Sequence, residues 1–458
     1  MRRGRAPETR GGPERPPRRR ELLAGMGATA GLLLLGCRGE PVDLRAQAAI
    51  AAGGSRGYAG PAVELAFWTG FTGGDRPPME RLIARFNREH ANIAVRMSVT
   101  RWGDFYQKIP AAVDSGHGPD VAVMHADQLA TAAVHRTVLP LDEVTEALGL
   151  GAGDFSETLW SAGVFRGRRY GVPLDVHPLG LYVNRAVLAG AGLDDAALPR
   201  SRRDYLAALE HLKRRGIQGS WVSPVLFTGG LMFQSLLWQA GGQLFSEDGA
   251  RAMFHAEAGV EALSFMVELI RRGYSPRDVG QDADSIAFMN DRNAFLWNGV
   301  WMINTFKAVP GLRWGVLPVP VIGAQRAVWG NAHHLVLPRQ PGAGAGHRRL
   351  QAAVVFLAWL SEHSLDWAAA GMVPARREAR ESAAFRRMTE QAILAEQLPA
   401  VRFPPAIAGA DAVRASTLDL AVNDAVLLRA APREALSRAA READALLAGN
   451  LKKFGRVL

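Results

Sequence analysis

Residues 63–99 read VELAFWTGFTGGDRPPMERLIARFNREHANIAVRMSV, and the changes of period inside this stretch decide the fold class. Val63–Gly70 alternates and ends in glycine, the pattern of a strand running into a loop. Apolar residues then recur at Met79, Leu82, Ile83 and Phe86, which is helical spacing. Ile93–Val99 returns to period two. Outward from there, the spacing predicts a helix over 105–115, stopped by Gly116, and a short buried strand over 120–124. Strand, helix, strand, helix, strand at this pace points to parallel βαβ units. Ligands of such sheets sit at the carboxyl ends of the strands. Three loops occupy such ends: Trp68-Thr69-Gly70, Thr100-Arg101-Trp102 and Met124-His125-Ala126-Asp127.

Further along, Tyr170–Asn184 is extended and broken by Pro and Gly, as a crossing strand would be. Helical patterns follow over 201–215, 228–240 and 257–272. A second extended run covers Trp314–Pro320, and Asn331–Leu337 reads as a strand. A helix over 350–361 and an Ala-rich helical tail over 410–448 complete the chain. Two long extended runs suggest a chain that passes more than once between two bodies. Between them, 294-AFLWNGVWMI-303 places two tryptophans around Asn298-Gly299. The expectation is a helix over 285–297 followed by a turn, with Trp297 anchoring the helix and Trp301 either in the core or on a binding surface built on the turn. Gly299 would allow close backbone approach or a positive φ.

The 458 residues suffice for two or three domains. The net charge is +10, but half of it lies in residues 1–37, and no concentrated basic stripe occurs elsewhere. A nucleic-acid groove needs such a stripe, so no nucleic-acid partner is expected. Residues 18–37 read RRRELLAGMGATAGLLLLGC. The apolar part is too short to span a hydrocarbon core, which needs about 20 residues, and suits an export signal. Leu34-Leu35-Gly36-Cys37 resembles the lipobox of bacterial lipoproteins, which implies lipid attachment at Cys37 and a bacterial, extracytoplasmic, membrane-anchored protein. Cys37 is the only cysteine, so neither an intrachain disulfide nor a thiolate metal site can form. Residues 38–61, rich in Gly and Ala, read as a flexible tether.

The order of segments resembles family 1 extracellular solute-binding proteins, the sugar-binding subunits of bacterial ABC importers. The likeness rests on ELAFWTGFTGG with MERLIARFNREHANIAV, SGHGPDVAVMHADQL, VLPLDEV, RGRRYGVPLDVHPLGLYVNRAVL, AFLWNGVWMI and GMVPARREA. It implies an α/β periplasmic-binding-protein-like fold of two lobes, joined by hinge crossover strands, with the ligand cleft between them. The expected division is 62–174 plus 320–366 for the N-terminal lobe and 175–319 plus 367–458 for the C-terminal lobe. It further implies capture of a mono- or oligosaccharide, delivery to the transmembrane subunits of an ABC permease, and action as a monomer.

A sugar offers apolar faces to aromatic rings and a rim of hydroxyls to polar side chains, so the site should combine both. The candidate ligand-binding residues are Trp68, Thr69, Trp102, His125, Asp127, Asp175, His177, Gly299, Trp301, Asn331 and His333. The role of Trp301 comes from the family likeness. Asp120 more naturally orients a strand end, and Trp238 suits a core. No cofactor is called for and no catalysis is expected. Asp120 and Asp175 could serve a carbohydrate-active enzyme, but nothing sets their separation. A metal site of His125, His333 and His334 is set aside, because adjacent strand residues face opposite sides. The same fold binding a polyamine, a phosphate ester or a metal is the main alternative; six tyrosines that do not cluster disfavour iron.

Overall fold

The computed structural model describes residues 58–455 except 195–196, 225–227 and 341–344. The export signal, Cys37 and most of the expected tether therefore lie outside the described residues. At the tether's end, Tyr58 is buried, and its carbonyl accepts a hydrogen bond from Asn92 Nδ2 at 2.7 Å. Among the described residues no helix is long and apolar enough to cross a membrane.

The opening stretch folds as its periods predict. Strand β1 (Val63–Thr69) pairs in parallel with β2 (Ile93–Val99) and with β3 (Val121–His125). The helix Arg76–Glu89 turns Met79, Leu82, Ile83 and Phe86 inward, as their spacing requires. The helix Trp102–Asp114 begins three residues earlier than its apolar pattern suggested. A hairpin of β4 (Val164–Phe165) and β5 (Arg168–Arg169) then leads to β6 (Val172–Pro173) and β7 (Asp175–Asn184). All ten residues of β7 are buried, on both faces, including the polar Asp175, His177 and Asn184.

The remaining strands are β8 (Phe295–Gly299), β9 (Trp314–Leu317), β10 (Val328–Asn331), β11 (His333–Val336), β12 (Val373–Pro374) and β13 (Val401–Arg402). They complete two sheets. One has the order β2-β1-β3-β11-β6, and the other contains β12-β7-β10-β13 with β8 and β9 also on β7. The chain changes sheet at single residues. Leu174 separates β6 from β7, and Ala332 separates β10 from β11. The two crossings touch, since Leu174 N donates to His333 O at 2.8 Å.

The stretch around Asn298-Gly299 departs from expectation. The helix ends at Met289, and Asn298 lies within β8, opposite Gly180 of β7. Gly299 has φ −91°, so it forms no turn and needs no left-handed backbone. The buried apolar edge of β7 supplies both pairing and burial for Phe295–Gly299, and this tertiary gain overrides the local Asn-Gly signal. The chain leaves the strand only at Val300, through a short 3-10 turn into the helix Ile303–Lys307. Trp297 is buried, with Nε1 donating to Tyr205 Oη at 3.1 Å, and is a core residue. Trp238 is likewise buried in the core.

Candidate functional site

A cavity of about 470 Å³ opens where β1 and β3 end and where both crossings pass. Trp102, His125, Asp127, His177, Trp301, Asn331 and His333 all line it. These are seven of the eleven candidates, contributed by both sheets and by the loops that follow them.

Two of the indoles that line it are each carried by a glycine. The Trp102 ring lies so close to Gly70 that a β-carbon there would stand 2.0 Å from Cδ2. It stacks on His333, with ring centroids 5.5 Å apart at 18°, and on Tyr106, 5.8 Å apart at 19°. The Trp301 ring is set in the same way on Gly299. It meets Trp329 edge to face at 6.3 Å.

Beneath the cavity lies Asp175, fully buried at the start of β7. Its Oδ1 accepts from His177 Nδ1 at 3.0 Å and from the His333 backbone N–H at 3.2 Å. Its Oδ2 accepts from His333 Nδ1 at 2.8 Å and from Trp367 Nε1 at 2.6 Å. Burial alone would push this carboxyl up, but the neighbouring His333 and the hydrogen bonds from both histidines hold it below the usual carboxylate range. An ionised carboxylate only accepts, so His177 and His333 both carry their proton on Nδ1. Burial, reinforced by His333, pushes His177 down to about 4. Its Nε2 is buried without a hydrogen-bond partner. An orphaned buried polar atom costs about 1–3 kcal/mol.

His125 ends β3. Its Nδ1 lies 2.6 Å from Tyr106 Oη, which also accepts the His125 backbone N–H at 3.0 Å. Burial, then the neighbouring His333 and His177, depress it well below the ordinary histidine value. One ring nitrogen from each of His125, His177 and His333 lies within 4.8 Å of the others. His177 thus takes the place considered for His334, which faces away and packs against Gly171. Asp127 is pushed up to about 7 by burial and by Asp411, against hydrogen bonding from Asn331 and the charge of Arg414. Asn331 Oδ1 accepts from Ala126 N at 3.1 Å, tying β10 to the end of β3.

Four candidates do not line the cavity. Trp68 packs against the small core cluster that contains Phe105 and Val113, and Thr69 is buried with Oγ1 3.5 Å from Phe71 N. Both belong to β1, whose side chains point above and below the sheet rather than past its end. Asp175 lies under the histidines and Gly299 lies under Trp301. Asp120 is also remote, for it accepts from Ala66 N at 2.8 Å and from Arg349 Nε at 2.7 Å. Asp120 and Asp175 therefore do not face each other across the cleft as an acid and a nucleophile would.

Sequence reasoning missed Asp75, Tyr106, Trp329, Asp411 and Arg414, which also line the cavity. Trp329 carried a usable signal, an aromatic two residues before Asn331, but the strand was begun too late to include it. Asp411 and Arg414 gave none, since they lie in an Ala-rich helical tail.

Comparison with known proteins places this geometry. A binding protein of Brucella abortus is 22% identical over 390 residues, covering 81% of this chain and 90% of the relative. The cyclic alpha-maltosyl-1,6-maltose binding protein of Arthrobacter globiformis has a TM-score of 0.72 at 23% identity, covering 85% of this chain and all of that one. The GacH receptor of Streptomyces glaucescens, solved unliganded and with acarbose, has a TM-score of 0.74 at 20% identity, covering 86% and 99%. At these identities the structures establish the fold, two α/β lobes about a cleft. Residues 73–364 match the family described as bacterial extracellular solute-binding protein, and the chain belongs to that family.

Proposed function

We propose that the protein captures a mono- or oligosaccharide in the cleft and delivers it to the transmembrane subunits of an ABC importer. One observation carries this reading: Trp102 and Trp301 face a single cavity that combines apolar lining, Trp329 and Leu231 among it, with the polar side chains His125, Asp127, His177, Asn331 and His333. Indole faces suit the C–H faces of a sugar ring, and amides, carboxylates and imidazoles suit its hydroxyls. The lobes divide near Leu174 and Ala332, and closure about these crossings would bring the walls onto the ligand. In this reading residues 1–37 export the chain, Cys37 carries the lipid anchor, 38–61 tether the fold, and the protein works as a monomer without catalysis.

A thermal-shift screen against mono- and oligosaccharides tests the ligand class. A ligand that binds only the native state at a hundredfold excess over Kd stabilises it by about 2.7 kcal/mol. The expected result is a raised Tm and changed tryptophan fluorescence with one saccharide group, and recovery of that saccharide intact. A flat response across the panel overturns the saccharide reading. For the anchor, Cys37→Ser should move the protein from the membrane to the soluble fraction.

A further inference from the structure

We propose that the floor of the cleft is a binding site for one divalent transition-metal ion of the zinc class, held by His125, His177 and His333. This goes beyond the saccharide reading and does not rest on it. One ring nitrogen of each residue already lies within 4.8 Å of the other two. Tetrahedral ligands at about 2.1 Å from zinc stand about 3.4 Å apart, so small ring rotations complete the set.

The hydrogen bonds around the rings favour this use. A histidine that ligates through Nε2 characteristically donates its Nδ1–H to a carboxylate or another oxygen, which fixes the tautomer. Two do so here, His177 Nδ1 to Asp175 Oδ1 at 3.0 Å and His333 Nδ1 to Asp175 Oδ2 at 2.8 Å, while His125 Nδ1 pairs with the Tyr106 hydroxyl at 2.6 Å. The Nε2 atoms of His177 and His333 are thereby left for a ligand. His177 supplies the independent observation, because it is only 2% exposed and its Nε2 has no partner. A purely structural histidine at such depth would normally satisfy both nitrogens. Imidazole donors select zinc, copper, nickel or iron over magnesium or calcium, which prefer oxygen. All three residues border the cavity, so a fourth coordination position opens into the cleft. Asp175 is a positioning residue in this scheme.

The test uses the full chain without an affinity tag, stripped with a chelator. Zinc ion alone is titrated in competition with a chromophoric chelator, and cobalt(II) alone is added in parallel. The expected result is one equivalent of zinc with Kd of about 1 µM or tighter, and intense visible d–d bands from cobalt in a low-symmetry nitrogen site. His177→Ala and His333→Ala should weaken zinc binding at least about 100-fold, and Asp175→Asn by about 10- to 100-fold. His117→Ala, an exposed histidine elsewhere, should change neither reading. Zinc binding weaker than about 100 µM, or unaffected by His177→Ala, overturns the proposal. The cobalt spectrum needs no variant: a pale octahedral spectrum overturns it even where the alanine variants unfold. Repeating the saccharide screen in chelator separates the two readings, since loss of the metal site leaves a saccharide shift in place, and loss of the saccharide shift leaves zinc binding in place.

Discussion

The Trp301 indole rests on the α-carbon of Gly299, two residues before it in the chain. A β-carbon at Gly299 would stand 2.0 Å from Cζ3 of that ring, although φ at this glycine, −91°, suits any residue. The glycine is required by the ring and not by the backbone. Gly299→Ala should therefore displace Trp301 and weaken saccharide binding nearly as much as Trp301→Ala. Truncating a buried aromatic contact costs about 2 kcal/mol, or about 30-fold in Kd. Fluorescence titration of both variants measures this. An unchanged affinity in Gly299→Ala would show that the ring can move without consequence.

Gly70 and Trp102 repeat the arrangement on the opposite wall, with a β-carbon placed 2.0 Å from Cδ2. Gly70→Ala should lower saccharide affinity tenfold or more. Trp102 also stacks on His333, so its displacement should shift the near-ultraviolet circular dichroism as well. A variant with wild-type affinity and spectrum would remove Trp102 from the binding wall.

Asn304 is a latch beside the cavity, tying the helix that follows Trp301 to Gly74, which lines it. From the helix Ile303–Lys307, its Nδ2 donates to Gly74 O at 3.1 Å and to Ala369 O at 2.9 Å. Two neutral hydrogen bonds contribute about 1 kcal/mol each. Asn304→Ala should raise the ligand dissociation rate by about 5- to 30-fold with a smaller effect on association. Stopped-flow tryptophan fluorescence separates the two rates, and equal rates in variant and wild type would discard the latch.

Asp284 is buried at the start of the helix Ala283–Met289, and burial, helped by Asp282, pushes its carboxyl up to about 6. The native state keeps this proton at pH values where the unfolded chain, with an ordinary value near 3.9, has lost it. Stability from this group is unaffected below about pH 4, falls as pH rises to about 6, and stays reduced above that. The decrement is at most about 3 kcal/mol. Asp284→Asn keeps the acceptor that holds Ser285 N at 2.9 Å and removes the ionisation. Urea midpoints at pH 4.5 and 7 should therefore fall with pH more steeply for the wild type than for the variant. Parallel curves would contradict this.

Asp120 ties β1 to the helix Ala345–Glu362 through Ala66 N and through Nε and Nη2 of Arg349, and it stands outside the cavity. Asp120→Ala should destabilise the fold by about 2–4 kcal/mol and leave saccharide affinity within twofold. Denaturation and titration of the same preparation check both parts. A large loss of affinity in a folded variant would return Asp120 to the ligand site.

The parallel opening of the chain was legible because period two and period 3.6 alternate cleanly from Val63 to Met124. The separate fates of Trp297 and Trp301 were legible too, but for a different reason from the one expected. Asn298-Gly299 reads locally as a turn, and only the buried edge of β7 makes it a strand. The meeting of His125, His177 and His333 was not legible. They belong to β3, β7 and β11, and no local pattern records that two crossings run side by side. Trp68 and Thr69 stand next to the strand end in sequence, yet sheet geometry turns them away, while the Trp102 ring reaches the cavity over Gly70.

Asp175 holds donors from β7, from β11 and from Trp367 on a single carboxylate. In the proposed closure, the fulcrum of the molecule and the floor of its receptor would therefore be one set of atoms. A substitution that reshapes the floor would then also alter the leverage of that closure. New preferences can more readily arise at the tryptophan rims, where a change of grip leaves the pivot intact.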